Sequence, residues 1–289
     1  MGTDARAQAW VGDRGTLDIS LDYNFAHSDK IVGDKDIEFP NAGTTTNQFT
    51  LGAEYVPIDK LAVSVGLPLA LLAYNGQLGL YPHLGGGSYD DGKTHATLTD
   101  LRAGVRYQLL EEPFVFTPQI GGSIPVADYE TVGNTVAGRH LKALHMGAAI
   151  GRVFGASTYV HLAYDFGLTE HYDRTAATDK QGQNTSDLSL TIGHKLLDQR
   201  LDIHIDGNLH LTHGGINFSE FSTLPSDDQL YHDPILREDI FLAGGGVGYQ
   251  ISDTLTVNLS GRYFVTGVNT QNASVVALGL IWTALSPSP

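Results

Sequence analysis

Apolar and polar residues alternate with period two along most of the chain. In Leu17-Asp18-Ile19-Ser20-Leu21-Asp22-Tyr23-Asn24-Phe25 every odd position is apolar and every even one polar; Leu101–Leu109 and Leu201–Thr212 keep the same rhythm. Strict alternation of this length marks a strand with one apolar and one polar face. The pattern predicts about twelve strands, near 15–26, 47–56, 61–70, 97–109, 114–125, 141–153, 157–168, 186–196, 201–212, 238–250, 255–266 and 273–283. Their length of about eleven residues is twice that of an ordinary soluble strand. At about 3.3 Å per residue and a tilt near 40°, it spans about 28 Å, close to the apolar thickness of a bilayer.

The connections alternate as well. Pro57-Ile58-Asp59-Lys60, Leu110-Glu111-Glu112-Pro113, Gly155-Ala156, Leu197-Asp198-Gln199-Arg200 and Ser252-Asp253-Thr254 are short turns. Between them lie long polar segments such as 71–96, 169–185 and 213–237, with a shorter one near 267–272. Five short turns and six long loops require an even number of strands, with both termini on the short-turn side. In a bilayer no backbone polar group can be left unpaired, so a sheet must close on itself. The expected fold is therefore an all-β, closed, antiparallel, up-and-down transmembrane β-barrel of about twelve strands, both termini periplasmic, in the bacterial outer membrane. Residues 1–14 read as an N-terminal periplasmic segment, 15–284 as the barrel and 285–289 as a C-terminal tail. A soluble β-sandwich is the alternative, opposed by strand length and by charges in mid-strand.

Aromatic residues fall into two belts. Tyr55, Tyr107, Phe114, Phe154, Tyr249 and Trp282 sit near short turns; Tyr23, Phe25, Tyr164, Phe166, Phe241 and Tyr263 lie toward the long loops. Two such girdles are what interfacial anchoring requires.

Composition narrows the reading further. The 289 residues contain no cysteine, so disulfides and Cys-ligated metal centres are excluded. Charged residues make up 17% of the chain, below the roughly 25% of soluble domains. A net charge of −15 argues against nucleic-acid binding. The most apolar stretch, Leu61–Tyr74, carries Pro68 and is too short for a spanning helix, which needs about 20 residues. No complete signal peptide is evident; Ala5-Arg6-Ala7-Gln8-Ala9 has the small-residue character of a cleavage remnant, but ordinary N-terminal coil is the favoured reading. So short a stretch ahead of the first strand leaves no room for a folded plug domain.

From Asn47 to Asp128 the chain resembles the outer-membrane family named for the meta-pathway of phenol degradation. The likeness rests on Val65-Gly66-Leu67-Pro68, Asp100-Leu101-Arg102-Ala103-Gly104-Val105-Arg106-Tyr107 and Pro118-Gln119-Ile120-Gly121-Gly122-Ser123-Ile124-Pro125. Thr99 and Val126-Ala127-Asp128 depart from the family pattern at loop edges. The resemblance implies a channel-like barrel passing small aromatic or apolar molecules, and it brings no catalytic residue.

Strand parity nominates the interior. Lumen-lining candidates are Asp18, Asp22, Arg102, Arg106, His161, Asp165, Asp202, His204, Asp206, Asn208, His210 and Arg262, with Asp100, Gln108, His145, Asn258 and Ser260 on the same faces. With strand four nearly opposite strand nine, the arginines are expected to face carboxylates across the bore and impose a transverse field. Acidic residues in loops 26–46 (Asp29, Asp34, Asp36, Glu38) and 213–237 (Glu220, Asp227, Asp228, Asp233) would favour cations or neutral solutes. A solvated surface, or carboxylates sharing divalent ions with lipopolysaccharide, explains them equally well.

His204, Asp206 and His210 have the right chemistry for a metal, but same-face neighbours on one strand lie nearly 7 Å apart, so pore lining is the favoured reading. No cofactor and no metal site are expected. Gly-x-Ser-x-Gly is absent, and His194, the one histidine on an apolar row, has no serine beside it, so no enzyme is expected. The function read from the sequence is passive diffusion of small solutes, with lipids, lipopolysaccharide and envelope proteins as partners. The alternative is a structural barrel within a larger envelope complex.

Overall fold

The computed structural model describes residues 9–76, 89–172, 183–223, 229 and 231–285. Twelve wall strands follow one another around the ring: β1 (Leu17–His27), β2 (Thr44–Ile58), β3 (Leu61–Tyr74), β4 (Thr94–Leu98 and Asp100–Tyr107), β5 (Val115–Pro125), β6 (Ala143–Phe154), β7 (Thr158–Thr169), β8 (Asn184–Leu196), β9 (Leu201–His213), β10 (Asp239–Ser252), β11 (Leu255–Val268) and β12 (Ser274–Leu285). Each pairs antiparallel with its chain neighbours. β12 returns to β1, Ile19 opposite Trp282 and Phe25 opposite Val276, and the wall is closed.

β4 is interrupted for a local reason. Pro68 on β3 has no N–H to give the ladder, so the partner strand takes up one extra residue there. Leu69 pairs with Leu98 and Gly66 with Arg102, three steps against four. Thr99 uses its N–H to reach the Pro68 carbonyl at 3.1 Å.

The two faces of the wall carry opposite chemistry. Leu51, Ile205 and Tyr263 stand 59%, 64% and 71% exposed on the outside, within a continuous band that includes Val105, Ile120, Leu190, Leu259 and Trp282. Apolar exposure on this scale is incompatible with a water-facing surface and fits one covered by acyl chains. Inward positions are polar and buried: Ser20, Asn24, Arg106, Thr117, Ser123, His161 and Asp206. Tyr55, Tyr107, Phe154, Tyr249 and Trp282 of one belt, and Phe25, Tyr164 and Tyr263 of the other, are on the outer face.

The long loops form a structure of their own. Residues 30–32, 38–40 and 270–271 make a three-stranded sheet, and short 3-10 turns occupy 218–223 and 233–235. Ile31, Ala42, Leu141, Tyr172, Ile216, Phe218, Phe221, Ile235 and Leu236 bury their side chains together, joining loops from distant strands into one apolar core.

Candidate solute pathway

Inside the barrel, long side chains reach over an intervening strand to partners two strands away. Asp206 on β9, Gly244 on β10 and Arg262 on β11 lie on one rung. The Arg262 Nε donates to both carboxylate oxygens of Asp206 at 2.9 and 3.0 Å. Next-nearest strands are about 9.5 Å apart, a gap an arginine closes only if nothing projects between. Gly244 supplies that bare floor: a Cβ there would strike the backbone of Gly261 and Arg262. In the same way Tyr159 on β7 passes over Gly193 to donate to Asp202 on β9 at 3.0 Å, and Gln119 on β5 passes over Gly147 to Asp165 on β7 at 3.4 Å.

The expected arginine row facing carboxylates across the bore is not formed. Arg106 turns along its own side of the wall and grips Glu54 on β2 through Nη2 at 2.6 Å and Nε at 3.2 Å. Asp206, meant to lie opposite it, is held by Arg262. The reason is desolvation: both pairs are nearly buried, and a charge taken from water needs a partner at contact distance rather than across a lumen.

Asp18 accepts a bond from Thr283 at 2.7 Å and Asp22 one from Ser20 at 3.1 Å. His204 contacts Asp202 at 3.1 Å, and His210 contacts Asp187 at 2.7 Å. His204, Asp206 and His210 thus each have separate partners. Asn208 has a buried amide nitrogen with no partner among the described residues. His161 is buried near Trp10. Asp165 is 2.8 Å from His145 Nδ1, and His145 Nε2 is 3.4 Å from the Ser123 hydroxyl. This order imitates a hydrolase triad, but Ser123 sits in paired strand with β4 and β6 on either side, and that ladder takes up the main-chain N–H groups an oxyanion would need. Arg102 stands apart: it is exposed, on the inward face, with no hydrogen bond or ion pair among the described residues.

Chain enters the bore at one end and loops cross its mouth at the other. At the short-turn end the segment ahead of β1 enters the lumen. Ala9 and Trp10 pack on Val115, Ala149 and Ala163, and Trp10 stands edge-on to Tyr159 at 6.3 Å. Three wall side chains hold its backbone: Thr117 donates to the Ala9 carbonyl, Arg106 to the Trp10 carbonyl at 3.1 Å, and Gln108 Oε1 accepts the Val11 N–H at 2.8 Å. Part of the segment read as periplasmic therefore lines the bore, as an extended strand of chain rather than a domain.

At the opposite mouth, the loop between β5 and β6 crosses to the far wall. Asp90, between β3 and β4, accepts N–H bonds from Asn134 and Thr135 at 2.9 and 3.0 Å, while Gln271, between β11 and β12, donates to the Asn134 carbonyl at 3.3 Å. Tyr129 donates to Asp100 at 2.6 Å, and Arg139 reaches Glu238 at 3.4 Å. Burial, with Asp100 beside it, pushes the Tyr129 phenol up. In the 213–238 loop, burial lowers the His232 pKa to about 4, while burial and the nearby Glu238, opposed by Arg139, raise that of Asp233 to about 7.

Sequence reasoning missed Glu54, Ser123, Tyr159 and Asp187, all readable from strand parity. It also missed Trp10, for which no periodic signal exists ahead of a strand. Asp227 and Asp228 lie outside the described residues, as do Ala5–Gln8 and Ser286–Pro289.

No known protein family matches the sequence. No curated protein resembles it in sequence either. Solved structures do match. The COG4313 outer membrane channel from Pseudomonas putida F1 superposes over 98% of this chain and 99% of its own, with a TM-score of 0.73 at 13% identity. The translocator domain of autotransporter NalP from Neisseria meningitidis covers 94% of this chain and 89% of its own (TM-score 0.51, 11% identity). The NanC porin covers 91% of this chain and 99% of its own (TM-score 0.51, 7% identity). The chain has the closed-barrel fold of an outer-membrane channel.

Proposed function

We propose that the protein is a channel of the bacterial outer membrane through which small solutes diffuse passively. The observation that carries this reading is the inverted wall: an apolar outer surface around a polar, charged interior in which Arg102 remains exposed. The fold shared with an outer membrane channel supports it. Small aromatic or apolar compounds are the proposed solutes, in keeping with the resemblance over Asn47–Asp128. The acidic vestibule contributes less selectivity than its charge count implies, because Glu38 is paired with Lys30. The N-terminal segment inside the bore and the loops across its mouth favour a second reading, a structural barrel bound to envelope proteins and lipopolysaccharide. Planar-bilayer recording of the purified protein, with solute influx into liposomes, separates the two. Discrete current steps and influx of small aromatic solutes are expected; a barrel silent in both assays overturns the channel.

A further inference from the structure

We infer that Arg102 is the anchor of a carboxylate-binding site at mid-height in the lumen, so that the solutes it selects are small organic monoanions. The inference rests on the channel reading for its meaning, but not for its geometry.

Three arginines face the interior from β4 and β11, and the chain itself shows what a lumen arginine binds. Arg262 holds the carboxylate of Asp206 and Arg106 that of Glu54, each with more than one hydrogen bond. Arg102 has the same guanidinium fork and no such partner among the described residues, yet it is exposed inside the wall. A planar fork with five donors matches a carboxylate bidentately.

Its surroundings leave room and add a second donor. Gly66 on β3 is its rung neighbour on one side and Ser123 on β5 on the other. Two residues further along the same face, Gly104 pairs with Gly121. The wall beside the guanidinium therefore carries no side chains at three inward positions, leaving a recess for a solute's body. Ser123 is only loosely engaged, 3.4 Å from His145, so its hydroxyl can rotate to donate to a carboxylate oxygen held on Arg102. His145 is oriented by Asp165 at 2.8 Å, which keeps the ring against Ser123.

A monoanion fits better than a dianion. Asp100 lies two residues from Arg102 on the same strand, and Asp165 stands behind His145. Arg102 offers one positive charge, and with these carboxylates nearby a phosphate dianion would meet more repulsion than a monoanion.

Titration calorimetry of the purified protein in detergent tests the site, with benzoate, the neutral isostere benzamide, and phenyl phosphate as probes. Arg102→Gln, Arg102→Lys and Ser123→Ala are compared with the parent, their folding checked by circular dichroism and heat-modifiable gel migration. Loss of a charged bidentate contact predicts at least about tenfold weaker benzoate binding in Arg102→Gln, and about two- to threefold weaker in Ser123→Ala. Arg102→Lys is expected to recover only part of the loss, because an ammonium lacks the fork. Benzamide and phenyl phosphate should bind the parent more weakly than benzoate. Equal benzoate affinity in a folded Arg102→Gln barrel, equal binding of benzoate and benzamide, or no benzoate binding by the parent overturns the site. Conductance in potassium chloride is read separately: a silent barrel that binds benzoate through Arg102 loses the channel and keeps the site, and a conducting barrel that ignores benzoate does the reverse.

Discussion

At the short-turn end, a few consecutive residues of extended chain narrow the bore along β4–β7; at the long-loop end, segments from distant strands cover it with an apolar core of their own. The first arrangement depends on three wall side chains, Thr117, Arg106 and Gln108, bonded to the backbone of residues 9–11, and on the burial of Ala9 and Trp10. Each such bond contributes about 1 kcal/mol net and the buried indole about 2–3 kcal/mol. None of the barrel's ladder bonds runs through this segment, so it can leave without unfolding anything else. The second arrangement is cooperative: Ile216, Ile235 and Phe218 bury one another, and Gln271 and Asn134 tie loops half a ring apart. Releasing one loop there exposes the core that holds the others. The contrast identifies the short-turn end as the one able to open by local detachment.

The largest effect is expected from deleting residues 1–11. Single-channel conductance is expected to rise several-fold with the barrel still folded; an unchanged conductance would show that the loop cap alone limits flow. Next in size is Glu54→Gln, which strands Arg106 in a nearly buried position and loosens its hold on Trp10. Breaking one partner of such a pair costs about 3 kcal/mol, read as a lowered urea midpoint in refolding titrations. Asp206→Asn should match it in stability but leave conductance unaltered, because Arg262 does not touch the N-terminal segment.

Smaller is the effect of Gly151→Ala. A Cβ there would meet the Trp10 ring at 2.6 Å and Ala9 at 2.8 Å, so the methyl displaces the segment without altering the ladder. About a twofold rise in conductance is expected, with stability changed by less than about 1 kcal/mol. A fall in conductance would mean that Trp10 is pressed deeper rather than expelled.

In the loop cap, two neighbouring groups respond to pH with opposite sign. His232, held down to about 4, favours a neutral ring in the folded loop, so its contribution is present above the ordinary histidine range and lost as pH falls toward 4. Asp233, pushed up to about 7, favours a neutral carboxyl, so its contribution is present below the ordinary aspartate range and lost as pH rises toward 7. Between those limits the two slopes cancel, and hydrogen-exchange protection of residues 231–237 should be nearly flat in the parent. In Asp233→Asn protection is expected to fall as pH drops from about 6.5 to 4, and in His232→Asn to fall as pH rises from about 4 to 7. Parallel slopes in the two variants would contradict the assignment.

The amino-acid order alone determined the strand number, the lipid-facing rows and the alternation of short and long connections. Period-two patterning is local, and a bilayer punishes any misplaced charge or unpaired amide, so the wall is written residue by residue in Leu17–Phe25 or Leu201–Thr212. Parity also placed Arg102, Asp206 and Arg262 on polar rows. Which charges meet was decided only by the closed ring. Asp206 and Arg262 are 56 residues apart and touch because Gly244, on the strand between, has no side chain. Trp10 carries no periodic signal, and its place in the bore exists only once Tyr159, Gly151 and Arg106 have been gathered around it. Contacts of that kind depend on strand register and barrel circumference, which are properties of the assembled wall and of no single segment of the chain.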